Sequence, residues 1–400
     1  MSEKEKLVPF DRGRRQPDPA RVAEFAATAR KLQQEREGAA GVVARLLDET
    51  PYAEWPKLAE REELRNSGAL DELSREVVSR VDRVPLESLA IAVLATIIAE
   101  ALPADSYPVV VLAQIRAQAW KDRGLALCYL ARHGDALAAL DHAEEILRAF
   151  GTLAHDRAIV RFARATTLQE AKRYDESIAL LAECKNIFED HGDTRRHLLC
   201  GIAEATLLHR MGNFHEARSA YSGLLEQASE INDRSLLASI HNNIGHSSIE
   251  IGDYATAASH LDQAVEILND LGQPLHVARA ELARGRMLIR KGDFESGIAH
   301  LHSVRQQFLN HNLVEEAGLC GLDIVEAQLS RGASIEAEAF ARQIVREFTA
   351  AQLNTRAITA LGYLSEAIGA RKASVATVEN VRHFIRALRR HPESEFVATA

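Results

Sequence analysis

The sequence predicts an all-α fold: a right-handed stack of helical hairpins, an α-solenoid, closed at its N-terminal end by an atypical helical cap. Three observations support this fold class. The composition favours helices, with 46% apolar residues, 26% charged residues and only 10 prolines in 400 residues. A segment pattern recurs at a constant interval of about 40 residues. Each copy carries two runs of apolar residues at helical spacing on either side of a short break.

Charge, cysteine content and hydropathy limit the function classes. The formal net charge of −9 argues against nucleic acid as the partner. The four cysteines lie far apart, which predicts free thiols in a reducing compartment. The N-terminal stretch MSEKEKLVPFDRGRRQPDP contains no apolar signal-peptide core. The most apolar stretch, Leu89 to Ala99, is too short for a bilayer, which needs about 20 residues. It predicts a buried helix, and we expect a cytoplasmic protein without membrane partners.

The N-terminal part of the chain lacks the repeat. Residues 1–18 are polar and are expected to be a disordered tail. Residues 19–107 are expected to form a helical region with a capping hairpin. It begins with one helix over 19–49, opened by Asp18 and Pro19, and continues through a loop, TPYAEWP. Two helices near 69–82 and 86–102 then form the hairpin that covers the first repeat.

Residues 108–391 are predicted to form the array, of about seven repeats, with a short tail over 392–400. Each hairpin carries an anchor residue close to the turn between its two helices, and clear anchors are spaced 40 residues apart. In the best copy, the first helix covers about Arg234 to Glu250 and the second about Ala255 to Asn269. The clear anchors are Tyr174, Phe214, Tyr254 and Phe294, with His133 one residue out of phase upstream and Ser334 and Ser374 in weaker copies.

The segment IHNNIGHSSIEIGDYATAASHLDQAVEIL resembles a tetratricopeptide repeat. That motif places small residues at its eighth, twentieth and twenty-seventh positions, and this copy supplies Gly245, Ala257 and Ala264. Neighbouring copies supply Gly124, Ala136 and Ala143; Ala165, Ser177 and Cys184; Ala205 and Ala217; and Gly285 and Gly297. The family's usual period is 34, so the spacing here adds about one and a half helical turns to each hairpin. Val325 and Ile344 replace small residues in the sixth copy, and packing is expected to loosen there.

The resemblance extends to uncharacterised bacterial repeat proteins in which a stretch like WPKLAEREELRNSGAL precedes the array. Repeats of this length occur in bacterial regulatory and scaffold proteins. The resemblance implies that positions 2, 5, 6, 9, 12 and 13 of each repeat face a concave groove. The fourth and fifth repeats then contribute a candidate partner-binding set: Asn242, Asn243, His246, Arg279, Arg286 and Arg290.

The three arginines of this set stand at i, i+7 and i+11, on one stripe of a helix. Three guanidiniums beside two amides and a histidine can hold a carboxylate, a phosphate or an acidic peptide. The alternative is that they pair with Glu281, Glu295 or carboxylates of adjacent repeats on a solvated face. A carboxylate clamp of the chaperone-tail type is disfavoured, because Ile202, Thr206 and Ala283 occupy positions where that clamp needs polar or basic residues.

No catalytic motif is present: G-x-S-x-G, the Walker loop, H-E-x-x-H and the dinucleotide fingerprint are all missing. His197 and Cys200 are spaced as a ligand pair, but no further ligands suggest themselves, so no metal and no cofactor are expected. The C-terminal helix VRHFIRALRRH, with Arg382, Arg386, Arg389 and Arg390, is interpreted as a solvated end-cap.

The leading hypothesis is a non-enzymatic scaffold or regulator that binds a protein or peptide, of acidic character, in the groove of repeats three to six. A sensor whose groove binds a small anion is the alternative. A transcriptional regulator associated with nucleic acid is the least favoured reading, because of the net charge. The partner's identity and the oligomeric state stay open, as does whether the N-terminal helix fills the groove.

Overall fold

The computed structural model describes residues 19–388 and 393–397, and this part of the chain contains helices and no strand. The expected tail over 1–18 lies outside the described residues. So do the last residues of the expected array and part of the tail over 392–400. No described helix is long and apolar enough to span a membrane. The N-terminal helices are α1 (Pro19–Arg36), α2 (Ala39–Glu49), α3 (Ser67–Arg80) and α4 (Pro85–Ala101).

Two expectations for the N-terminal region are wrong. The single helix over 19–49 is two helices, because Gly38 adopts a left-handed φ of 85° and ends the first one. The segment expected as a loop contains a 3₁₀ helix, Tyr52–Glu60. Its Trp55 is buried and donates a hydrogen bond through Nε1 to the carbonyl oxygens of Leu47 and Thr50. A buried indole N–H needs such an acceptor, and it fixes this segment against α2.

Helix α1 packs on the cap rather than in the groove. The carboxylate of Glu35, near its end, accepts hydrogen bonds from the backbone N–H and hydroxyl of Ser67 and from the hydroxyl of Tyr107. Burial and the neighbouring Glu35 raise the pKa of Tyr107 to about 12. Arg36 pairs with Asp71 of α3 at 2.6 Å. The end of α1 is therefore tied to the start of α3.

The array consists of seven consecutive helix pairs within the described residues. Neighbouring pairs pack side by side, so the array is an all-α right-handed solenoid, as predicted. The pairs are α5 (Val109–Tyr129) with α6 (His133–Arg148), α7 (Ala154–Glu170) with α8 (Tyr174–Asp190), α9 (Thr194–Arg210) with α10 (Phe214–Glu230), α11 (Arg234–Ile251) with α12 (Tyr254–Asp270), α13 (Pro274–Arg290) with α14 (Phe294–Asn310), α15 (Val314–Ser330) with α16 (Ser334–Ala350), and α17 (Thr355–Gly369) with α18 (Val375–Leu388).

The period of the repeat has a simple structural origin. Helices α7 to α16 are nearly uniform, 17 residues in every case but α11, which has 18, and a short turn follows each one. A left-handed residue in each turn allows the backbone to cap the helix and reverse. The residues with positive φ recur at even intervals, at Gly192, Gly212, Asn232, Gly252, Gly272, Gly292 and Asn312. Equal helices and equal turns thus divide the repeat into two equal halves.

Small residues allow the two helices of a pair to approach closely. Ala257 and Ala264 are fully buried at the positions expected for them. A Cβ added to Gly245 would lie 2.8 Å from both Cγ and Cδ2 of Leu261, well inside van der Waals contact. Gly285 meets Leu301 in the same way, at 2.5 Å from its Cδ2. The register deduced from the sequence therefore corresponds to real contacts between helices.

The expected loosening toward the C-terminus is wrong. Val325 and Ile344 are fully buried and belong to the hydrophobic cluster that runs from α13 to α18. Helices α15 and α16 still approach closely, but the contact lies at other positions of α15. An added Cβ at Gly321 would lie 2.7 Å from Cδ1 of Ile344, and one at Gly318 would lie 2.2 Å from Cε1 of Phe348. Glycines at neighbouring positions accommodate the larger side chains.

Candidate functional site

The first helix of each pair lines the concave face, and the six candidate residues lie on two of these helices. Asn242, Asn243 and His246 are on α11, and Arg279, Arg286 and Arg290 are on α13. Three of the six, His246, Arg286 and Arg290, line one cavity of about 300 Å³. Asn242, Asn243 and Arg279 are not part of its lining.

The cavity has an apolar floor and a charged rim. Buried Ile249 and Ala283 form part of the floor, together with the half-buried Ile289. The rim carries acidic and basic groups from four helices. The charged lining residues are Glu250 of α11, Arg286 and Arg290 of α13, Asp323 and Glu326 of α15, and Glu379, Arg382 and Arg386 of α18. The site is therefore a mixed-charge pocket with an apolar base, and its lining is more charged than that of a typical small-molecule cleft.

Each arginine of the predicted stripe already has a carboxylate partner. Arg286 reaches Oδ2 of Asp323 on the next repeat at 2.7 Å, and Arg290 reaches Glu250 on the preceding repeat at 2.8 Å. These two pairs agree with the alternative interpretation, in which the arginines bind carboxylates of adjacent repeats. Asp323 is only 10% exposed, so its pair with Arg286 is the better shielded of the two.

Arg279 has a distant partner. Its Nη1 lies 3.0 Å from Oδ2 of Asp82, in the turn between α3 and α4 of the cap. The two residues are 197 positions apart in the sequence. The superhelix thus curves enough for the cap to reach the fifth helix pair. Arg279 joins two parts of the superhelix and does not contribute to the cavity.

Helix α18 lies against the concave face, and its interpretation as a solvated end-cap is wrong for the described residues 375–388. Val378 and Val381 are fully buried in the cluster that α18 shares with α15 and α17. Arg382 binds Oδ1 of Asp323 at 3.0 Å and also pairs with Glu326. Asp323 is therefore held from both sides, by Arg286 and by Arg382, and α18 forms one wall of the cavity.

The histidine in the cavity is neutral at physiological pH. Burial lowers the pKa of His246 to about 4, and the cationic Arg286 contributes in the same direction. A neutral imidazole can both donate and accept a hydrogen bond. On the same helix, Oδ1 of Asn242 is buried without a hydrogen-bond partner among the described residues. Helix α11 thus carries one imidazole that a ligand in the cavity can reach and one unpaired amide oxygen that is buried.

Ion pairs recur along the rim of the groove with the period of the fold. Position 13 carries Glu170, Arg210, Glu250 and Arg290 in successive repeats. Arg210 pairs with Glu170, and Arg290 pairs with Glu250. Each pair is partly exposed and is worth about 0–1 kcal/mol. These ion pairs mainly determine the charge pattern that a ligand would meet at the rim.

Sequence reasoning missed Asp323, Glu326 and Arg382. A signal for the first two existed, because they stand at positions 6 and 9 of the sixth repeat, two repeats after Asn243 and His246. Arg382 could not be placed in this way, because it belongs to a second helix that leaves the regular packing.

The cysteines and histidines do not form a metal centre in the part of the chain that the structure describes. No group of three or more His, Cys, Asp or Glu side chains is arranged to hold an ion. Cys200 is fully buried, and burial raises the pKa of its thiol to about 12. His197 instead approaches the carbonyl oxygen of Lys185 at 3.3 Å.

Comparisons with known proteins agree with this architecture. The family model described as tetratricopeptide repeat matches residues 201–270. No curated protein sequence matches the chain. The fold defines an α-solenoid of helical hairpins with a concave cleft. The described part of the chain is a helical-repeat protein, and residues 201–270 of it match the tetratricopeptide repeat.

Solved structures share the fold at low sequence identity. A signal transduction ATPase with numerous domains, which carries a tetratricopeptide repeat sensor and comes from Pyrococcus horikoshii, aligns with a TM-score of 0.55 and 14% identity over 90% of this chain. The chain spans only 53% of that protein. The apo form of RapI aligns with a TM-score of 0.55 and 13% identity, over 93% of this chain and 100% of that one. The Rap conjugation gene regulator of plasmid pLS20, solved with the Phr* peptide, gives 0.52 and 13%, over 90% and 99%.

Proposed function

We propose that the protein is a non-enzymatic, cytoplasmic interaction scaffold or regulator that binds a partner polypeptide in its concave groove. The observation that supports this proposal is the cavity between α11, α13, α15 and α18, which combines an apolar floor with a charged rim. An extended array of repeats offers a continuous surface of this kind along its inner face. The proposed binding residues are those of the predicted set that line the cavity: His246, Arg286 and Arg290.

The likeness to a peptide complex supports a peptide as the ligand. The regulator of plasmid pLS20 has the same fold and was solved with a bound peptide. In this chain, His246 lines the cavity as a neutral imidazole, so it can both donate and accept a hydrogen bond with a peptide backbone. Side chains of the ligand would enter the cavity above Ile249 and Ala283.

We infer an acidic partner from the ion pairs of the rim that a ligand could exchange. The side chains of Arg290 and Glu250 are 48% and 32% exposed, so breaking their pair costs about 0–1 kcal/mol. A ligand carboxylate can therefore replace Glu250 at Arg290. Arg286 is held more firmly, because its partner Asp323 is nearly buried and also binds Arg382. We expect Arg290 to make the first contact with an acidic residue.

A small anionic ligand is the second candidate. The cavity volume of about 300 Å³ is at the small end of the range for ligand pockets. Such a ligand would raise the thermal midpoint of unfolding with one-site dependence on its concentration. A polypeptide partner would instead be retained by the immobilised protein.

The test is affinity capture from a lysate of the source organism with a charge-swapped variant. Glu250→Arg combined with Arg290→Glu keeps the ion pair but reverses its polarity at the rim. The matched control swaps Arg234 and Asp270, an exposed pair 2.7 Å apart that does not line the cavity. A polypeptide retained by the wild type and the control but lost by the first swap supports the proposal. Equal retention by all three proteins would place binding elsewhere.

A further inference from the structure

Helix α4 has two apolar faces, and only one of them is covered. Ile91, Leu94 and Ile98 are fully buried inside the cap. On another side, Leu86 and Ile97 are 62% and 42% exposed. Leu86, Leu89, Val93 and Ile97 stand at i, i+3, i+7 and i+11, which places them on one stripe. The sequence prediction of a buried helix therefore holds for one face and is wrong for this one.

The uncovered stripe borders a groove between α4 and α6, which we call the convex groove. Its cavity has a volume of about 440 Å³. It is lined by apolar and small side chains and by an exposed ion pair at the start of α6: Leu89, Val93, Trp120, Arg123, Leu127, Arg132, Asp135, Ala138, Ala139 and His142. The α5 side chains in it point about 180° away from those of α5 on the concave face. The convex groove is thus separate from the cavity between α11 and α18.

One cation in the convex groove lacks a carboxylate. Arg123 is at position 7 of its repeat. In the second and fifth repeats, the same position holds Arg164 and Arg284, which pair with Asp141 at 3.1 Å and Asp262 at 2.6 Å on the preceding helix. The helix that precedes Arg123 is α4, which presents apolar side chains.

No carboxylate of the described residues lies within ion-pair distance of Arg123. Its guanidinium carbon lies 5.0 Å from the ring centroid of Trp120. The carboxylates nearby are engaged elsewhere: Glu100 accepts a hydrogen bond from Nε1 of Trp120, and Asp135 pairs with Arg132. A half-buried arginine stacked on an indole is well prepared for a bidentate carboxylate.

We propose that the convex groove is a docking site for an amphipathic helix of a partner protein that carries a carboxylate for Arg123. The apolar stripe from Leu86 to Ile97 is three helical turns long, about 16 Å, which matches a short helix laid along a groove. The small side chains of Ala138 and Ala139 on α6 leave room for it. Charge complementarity at Arg123 selects an acidic helix, since Arg123 has no ion-pair partner among the described residues, whereas Arg164 and Arg284 pair with acids of the preceding helix.

The test is a selection of peptides on the full-length chain. The library displays helical peptides of about 14 residues, with apolar residues fixed on one face and all other positions random. We expect enriched peptides to share an Asp or Glu beside the apolar face and to change the fluorescence of Trp120. Arg123→Gln should weaken their binding at least tenfold, roughly the worth of a charge-assisted hydrogen bond.

Arg284→Gln is the matched control, because it makes the same change at the same repeat position where the acid is supplied by the chain. It should leave peptide binding unchanged. Arg123→Gln should unfold close to the wild-type temperature, since it loses no ion pair and only a cation–π contact with Trp120 worth about 0.5–1 kcal/mol. The proposal would be overturned by enriched peptides without an acidic preference, by equal binding to Arg123→Gln, or by no enrichment. Self-association of the free protein through this groove, abolished by Val93→Asp, would identify a second copy as the occupant and would also overturn it.

Discussion

Replacing Gly245 with alanine should destabilise the protein relative to the same change at Gly223. Both glycines lie inside helices, and alanine gains about 1 kcal/mol of helix propensity at either position. An added Cβ at Gly223 meets nothing within 4 Å. At Gly245 it lies 2.8 Å from Cγ and Cδ2 of Leu261, where about 3.5–4.0 Å is normal. Leu261 is buried and has to move by about 1 Å.

Overpacking of this kind costs about 1–3 kcal/mol. We therefore expect Gly223→Ala to raise the free energy of unfolding by up to about 1 kcal/mol and Gly245→Ala to lie about 1–3 kcal/mol below it. The assay is urea unfolding followed by circular dichroism. Native-state hydrogen exchange of α11 and α12 locates the effect, because repeat arrays need not unfold in one step.

The steric origin can be isolated with a second substitution. In a Leu261→Ala background, the atoms that clash are absent, so Gly245→Ala should become neutral or stabilising. The two changes are then non-additive, as expected for residues in contact. If Gly245→Ala is as stable as Gly223→Ala in the wild-type background, the helix register inferred for this repeat is incorrect.

Three further predictions concern the superhelix, pH and thiol reactivity. Arg279→Gln should leave the unfolding midpoint nearly unchanged, because a partly exposed pair contributes about 0–1 kcal/mol, but should increase the radius of gyration measured by X-ray scattering. Exchanging Asp82 and Arg279 should restore it, and an unchanged radius in the single variant would argue against a joining role for this pair. The pKa of His246 is about 4 in the folded chain, and its ordinary value is 6.5. As pH drops from 6.5 toward 4, the unfolded state therefore binds the proton before the folded state does, and the free energy of unfolding falls. His246→Gln should flatten this fall in urea titrations, and an equal slope in both proteins would contradict it. Iodoacetamide should label Cys128 faster than Cys184 in the native state, since Cys184 is fully buried and its thiol pKa is raised to about 12. The rates of labelling are measured by mass spectrometry, and faster labelling of Cys184 would contradict the prediction.

The sequence predicted the helices of the array closely because their limits are local. Helix α12 begins at Tyr254, one residue before the expected start at Ala255, and the anchors Tyr174, Phe214 and Phe294 begin the equivalent helices. A residue that accepts positive φ and a short polar turn suffice to end one helix and start the next. The break at Gly38 was missed because one glycine within an apolar pattern does not reveal its own φ.

The site was harder to predict because it depends on curvature. The spacing of Arg279, Arg286 and Arg290 placed them correctly on one helix, but their partners lie on other repeats or in the cap. The pair between Arg279 and Asp82 exists only because the superhelix returns to its beginning. The wall formed by α18 likewise reflects packing of the last pair against α15, which no local pattern encodes.

The most direct test of the central proposal is site-specific photo-crosslinking of the concave groove. A benzoylphenylalanine at Ile289, which lines the cavity, would be compared with one at Ile178, an exposed residue of α8 outside that cavity. Both proteins would be irradiated in a lysate of the source organism, and adducts would be identified by mass spectrometry. We predict a polypeptide adduct at Ile289 that does not form at Ile178. The same adducts at both positions, or none at Ile289, would contradict binding in the groove.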